Sequence, residues 1–214
     1  MKYNLNVVDI NTYPPELIDA VKNKFYEKVE DILLSCNLIC YHFTRLISDE
    51  EIKKNGIKKL KIDEFVHYVK NNINAKENIE GFINDVKNEI KNYNVRENRI
   101  SFIAGLDERT FSEYEYYSTF FGGEFLEIIS RKYPNINQSL REIGTPFIIK
   151  FIIPVNVIKF QSELYEKLIN RIMDNINNEK KECIELYTYN YDVPNENILS
   201  IREIKKGFIQ TYFA

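Results

Sequence analysis

The segment Asn37-Leu-Ile-Cys-Tyr-His-Phe-Thr44 breaks a helical period and reads as a buried strand, since it is a run of apolar and aromatic residues. Before it, Pro14-Pro15 opens a long helix with Leu17, Ile18, Val21, Phe25, Val29, Ile32 and Leu33 on one stripe. After it, Ser48-Asp-Glu-Glu51 has the spacing of a capping box, with Ile47 and Ile52 placed as a hydrophobic staple. That short helix stops at Asn55-Gly56, where glycine supplies a left-handed cap. Two amphipathic helices follow, near 63–73 and 77–92, and their charge runs read as solvated faces.

The pattern then changes. Arg99 to Ala104 is strand-like, and Ser112 to Arg131 is helical apart from Gly122-Gly123. Pro146-Phe-Ile-Ile-Lys-Phe-Ile-Ile153 is a strand closed by Pro154, and a helix near 162–177 follows. Strands at Glu182–Tyr189, Asn197–Ile204 and Phe208–Phe213 finish the chain. Strands interrupted this irregularly do not form the alternation of a doubly wound sheet. The expected class is α+β with a mostly antiparallel sheet in the second half. We expect one domain over residues 1–214, of which 1–36 form an N-terminal helical extension.

Composition narrows the function classes. A chain of 214 residues with 44% hydrophobic content buries a core without metal or disulfide support. The net charge of −3 leaves no global basic field for nucleic acid or anionic membrane, and only a local patch could serve that purpose. No stretch approaches about 18 apolar residues, and the N-terminus lacks a signal-type apolar run, so no membrane association is expected. Cys36, Cys40 and Cys183 are too scattered for a disulfide framework or a cysteine zinc site. Cys36 and Cys40 would stand about 13 Å apart on a strand. They read as reduced thiols of a cytoplasmic protein.

The chain has two histidines. His67 sits mid-helix among bulky apolar residues and reads as packing. His42 lies near the end of the apolar strand, where ligand-contacting side chains often emerge. The alternative is a core histidine that donates to a backbone carbonyl. No second His or Cys stands at ligand spacing to make a zinc site.

Tyr41-His-Phe-Thr-Arg45, a short helix, and then Asn55-Gly-Ile57 resemble the first motif of ADP-ribosyltransferases of the His-Tyr-Glu type. That group includes poly(ADP-ribose) polymerases, diphtheria-type toxins, and toxins of toxin–antitoxin and phage-defence systems. The resemblance implies NAD as substrate. His42 would hold the ribose, Thr44 would add contacts, Tyr41 and Arg45 would flank the ligand, and the helix ending in glycine would close the nicotinamide slot. Phe102-Ile-Ala-Gly105 followed by Ser112-Glu-Tyr-Glu-Tyr-Tyr-Ser118 resembles the second element. There Tyr117, with Tyr116 and Ser118 beside it, would offer the aromatic face on which nicotinamide stacks. Many family members carry Tyr where this chain has Phe102.

Phe120-Phe-Gly-Gly-Glu-Phe125 is an unusual string, because two glycines inside a helical pattern cost roughly 1 kcal/mol each relative to Ala. A kink accounts for it; so does close backbone approach to a ligand, with Gly122, Gly123 and Glu124 at the contact. The third family element is a glutamate on a late strand, and Lys181-Glu-Cys-Ile-Glu-Leu-Tyr187 before Asp192-Val-Pro194 resembles it. Glu185 is the carboxylate expected to stabilise the oxocarbenium-like centre, facing one cleft with His42. Glu182 has the opposite parity, and Glu124 competes for the role.

The implied activity cleaves NAD and passes ADP-ribose to a macromolecular acceptor, protein or nucleic acid. The setting would be toxin or antiviral defence, with an antitoxin or defence partner. A nucleotide-binding sensor without catalysis and an RNA-cleaving toxin using His42 are the alternatives.

Overall fold

Strand β2 (Asn37–Leu46) is the axis of the architecture. In the computed structural model, which describes residues 3–59, 61–73, 78–93, 99–105, 131–159, 161–178 and 181–204, β4 (Thr145–Pro154) pairs with it along its whole length. The antiparallel register runs from Asn37 opposite Pro154 to Leu46 opposite Thr145. On the other side, β3 (Arg99–Ala104) pairs antiparallel at Cys40/Ala104 and Tyr41/Ile103. The short β1 (Asn4–Leu5) runs parallel to Asn37 and Leu38. β5 (Ile184–Tyr189) adds to β3 and β6 (Ile198–Glu203) to β4, giving the order β5-β3-β2-β4-β6. The sheet is therefore not confined to the second half of the chain. Its centre comes from the first half.

Strand alternation sorts the side chains. Leu38 and Cys40 of β2, Ile100 and Phe102 of β3, Ile149, Phe151 and Ile153 of β4, and Leu186 of β5 are buried on one face. Helices α1 (Pro15–Lys22), α2 (Tyr26–Leu34), α7 (Val155–Lys159) and α8 (Ser162–Asn178) bring Leu17, Val21, Val29, Leu33, Ile158, Leu168 and Ile172 into the same core. Residues 1–36, expected as an extension, supply two helices and a strand to this core. The long N-terminal helix is two helices, because Lys24 takes a positive φ of 59° and the chain turns back on itself.

A second cluster joins α4 (Ile62–Asn72), α5 (Ile79–Tyr93) and α6 (Pro134–Glu142) through Val69, Phe82, Ile83, Val86, Ile136 and Leu140. Phe82 meets Tyr133 edge-on at 5.6 Å. Helix α6 opens with proline at its first turn, a signal that the sequence reading passed over. The expected 112–131 helix, except Arg131, and the 208–213 strand lie outside the described residues.

Helix α3 (Glu50–Asn55) departs from its expected cap. Ser48 Oγ accepts from the Glu50 N–H at 3.2 Å, and Ile47 is exposed, so neither the box nor the staple forms. Gly56 does carry the expected positive φ, 73°.

Phe151 is wholly buried and packs edge-on against Phe102 at 5.7 Å. Replacing Phe151 with Ala should lower stability by about 3–5 kcal/mol, measured by equilibrium urea unfolding. A loss under about 1 kcal/mol would mean that the central sheet face is not the core.

Candidate functional site

The three strands that carry the motif residues, β2, β3 and β5, lie side by side in the sheet although they are far apart in sequence. Their loops also meet. Gly56-Ile57, after α3, lies against Val193-Pro194, after β5. Ile57 donates to the Val193 carbonyl at 2.9 Å, and Val193 donates back to Ile57 at 2.9 Å. Asp192 Oδ1 accepts from the Lys59 N–H at 2.9 Å, and Lys58 Nζ stands 3.5 Å from Oδ2. Burial alone would raise the Asp192 pKa, but the Lys59 amide and the nearby lysines outweigh it and hold the carboxyl below its ordinary value. A Cβ at Gly56 would overlap the Val193 carbonyl oxygen, so this position needs glycine for space as well as for φ. The sequence marked both ends of this clip but not their contact.

His42 stands where β2 and β3 part. Ladder pairing ends at Tyr41/Ile103, and one step further on the Ser101 carbonyl accepts from His42 Nδ1 at 2.8 Å. A carbonyl can only accept, so Nδ1 carries the proton and Nε2 keeps its lone pair. Among the described residues nothing bonds Nε2. Burial lowers the imidazole pKa below its ordinary 6.5, against the smaller opposing effect of the Ser101 bond. The residue thus has the carbonyl partner of a core histidine and, in addition, one fixed acceptor nitrogen.

The other motif residues do not all gather round it. Register puts Thr44 on the same face as His42, and Tyr41, Arg45 and Glu185 on the opposite face. Glu185 is exposed there, opposite Ile103, which is itself opposite Tyr41. The expectation that Glu185 and His42 share a cleft is therefore corrected: strand parity separates them. Arg45 is also engaged elsewhere, with Nε donating to the Ile143 carbonyl at 3.0 Å and Nη2 to Gly144 at 2.8 Å, so it braces the turn into β4.

Glu182 does not take over from Glu185. Leu186, through Phe102, is level with His42, and Glu182 lies about 13 Å back along the chain. It is held there by an ion pair with Arg171 and by backbone bonds to Asn175. Tyr116, Tyr117, Ser118, Gly122, Gly123 and Glu124 lie outside the described residues.

A shallow cavity of about 400 Å³ opens at the start of α6, lined by Arg131, Pro134, Asn137 and Gln138, none of them a motif residue. Among the described residues no three His, Cys, Asp or Glu converge as metal ligands. No described helix is long and apolar enough to cross a membrane.

No family model matches this chain, and no curated protein or solved structure does either.

The His42 pKa sets a sign for stability against pH. The folded value lies below the unfolded one, so the unfolded chain takes the proton first, and stability is lost as pH falls from 6.5 through the folded pKa. A His42→Gln variant should lose less stability than the parent over that interval in urea unfolding at matched pH. Parallel curves for the two proteins would show that His42 titrates normally.

Proposed function

We propose that this chain is an NAD-cleaving protein of ADP-ribosyltransferase type, with its slot on the His42 face of the sheet. The observation that carries the reading is the adjacency of β2, β3 and β5, with the tails of the first and third motifs clipped together by Ile57 and Val193. Chance placement of three unrelated segments gives no reason for the strands and their exit loops to meet.

A neutral imidazole with Nδ1 occupied offers one acceptor, which suits a ribose hydroxyl. In the proposed reaction the bond between nicotinamide nitrogen and anomeric carbon breaks, and its electron pair leaves with nicotinamide. An acceptor nucleophile, or water, then bonds to that carbon and gives up its proton. Charge at the anomeric carbon needs a carboxylate nearby. Of the carboxylates that the motifs offer, Glu185 and Glu182 stand elsewhere, and Glu124 from the Phe120–Phe125 string is the one proposed for that role; Glu203, on the His42 face level with Thr44, belongs to no motif. A toxin or defence setting with an antitoxin partner follows from family analogy alone.

The second reading is a nucleotide-binding module without turnover. It is favoured by the exposure of Glu185 on the far face, which leaves no described carboxylate level with His42.

Nicotinamide release by purified protein decides between them. The transferase reading expects release that falls at least about 100-fold in Glu124→Gln, roughly the effect of one catalytic acid–base or electrostatic group, and that survives in Glu185→Gln. NAD binding without release supports the module. Neither binding nor release removes the reading, and loss in Glu185→Gln alone moves the slot to the opposite face.

A further inference from the structure

We propose that the turn between α1 and α2 is a docking tip for an anionic lipid surface. Periodicity puts Phe25 on the apolar stripe that runs from Leu17 to Leu33, where it would be buried. The stripe does continue through Val21 and Val29, both buried, but Phe25 is 58% exposed and Tyr26, beside it, 56%. Every residue from Lys22 to Lys28 is exposed, so the turn stands uncovered.

Hydrogen bonds fix this turn. The Phe25 N–H donates to the Ala20 carbonyl at 2.9 Å and the Lys24 N–H to the Val21 carbonyl at 3.0 Å, the two bonds that close a helix through one left-handed residue. Lys24 is that residue, with φ 59° where glycine is the usual choice. An apolar residue after such a cap commonly folds back onto the last helical turn. Here that residue is Phe25, and it stays in solvent. The backbone thus presents an aromatic pair outward on a defined turn.

The rings are set among cations. Within the run, Lys22, Lys24 and Lys28 stand against a single acid, Glu27, in a chain whose net charge is −3. Among the described residues none of the three ammonium groups has an ion-pair or hydrogen-bond partner. Asp19 lies about a turn before the run, and Glu30, just after it, is held by Lys159 at 2.9 Å.

Exposed rings flanked by lysines complement a surface that is apolar within and anionic outside. Aromatic rings settle at the membrane interface, while lysine stems carry their charges to the headgroups beside them. A nucleic acid or an acidic protein would have to bring a pocket for the rings. A lipid surface receives a projecting turn without a matching shape. Two rings and three charges make a reversible contact rather than an anchor. No motif residue takes part, so the inference stands apart from the NAD reading.

The chain has no tryptophan, so Phe25→Trp gives a single reporter that keeps an aromatic ring at the tip. The full chain carrying it should sediment with vesicles of phosphatidylserine in phosphatidylcholine, and its emission should shift to the blue. Phosphatidylcholine vesicles alone should bind at least about tenfold more weakly, because the three lysines lose their counter-charge. Phe25→Ser should weaken binding to the anionic vesicles by about tenfold or more, the scale of one aromatic side chain kept out of an apolar phase. Lys22→Gln and Lys28→Gln should each weaken it by about fivefold. All three positions are exposed, so these variants remove no packing. No binding at low salt overturns the proposal, as does a Phe25→Ser chain that binds like the parent. A bound Phe25→Trp chain without a blue shift overturns it too, because the ring would then remain in water. Heparin or a single-stranded oligonucleotide bound as tightly as the vesicles, with the same loss in Phe25→Ser, also overturns it and gives the tip to a polyanion.

Discussion

The ladder between β2 and β4 is the constraint on which everything else depends. Its register is unbroken from Asn37/Pro154 to Leu46/Thr145, and in a strand a slip of one residue sends every side chain to the other face. Cys40, Phe151, Ile149 and Leu38 are all buried in one core, so a slipped register would trade them for Tyr41, Lys150 and Arg45. Burial of apolar area contributes about 25 cal/mol per Å², and desolvating Lys150 or Arg45 would add a cost of its own. The chain is held to one parity, and that parity then dictates where each chemical group stands.

His42 shows how a fixed register produces a site. On the core face its neighbours in register are Ile149 and Ile201, a setting that disfavours a charged imidazole. The sheet opens between β2 and β3 at that level, and the Ser101 carbonyl accepts a hydrogen bond from the His42 Nδ1–H. Burial and this one hydrogen bond leave a neutral ring with a defined tautomer. The clip of Ile57 onto Val193 joins the loops after α3 and β5, and it depends on Gly56, where any side chain would collide with backbone.

Much of the fold was legible because local signals agreed with burial. The runs 37–44 and 146–153, the helix at 162–177 and the amphipathic helices near 63–73 and 77–92 come from periodicity and composition, and long-range contact does not reverse them. What was not legible depended on contact. The turn at Asn23-Lys24 breaks a continuous apolar stripe, and nothing in the stripe announces it, since a non-glycine residue takes the positive φ. Ile47 satisfies the staple spacing yet stays in solvent, so spacing alone does not encode the contact. The site was harder again. His42 and Thr44 stand on one segment and share a face. Glu185 came from another segment, and whether it faces His42 depends on the register across β3, which no single strand contains.

The same parity that separates Glu185 from His42 also explains the chemistry of the two faces. Alternation fixes the two sides of the central strand, so Tyr41 and Arg45 face away from the main core, beside the buried Phe43, because Cys40, His42 and Thr44 face toward it. Lys150 follows from its place opposite Tyr41, and Arg202 from its place opposite Ile148. Arg45, Arg99, Lys150 and Arg202 therefore stand on one face without any net positive charge, while Glu203 stands, exposed, on the other. Composition averages over both faces and reports an acidic protein. The sheet divides that average and puts every strand lysine and arginine on one side.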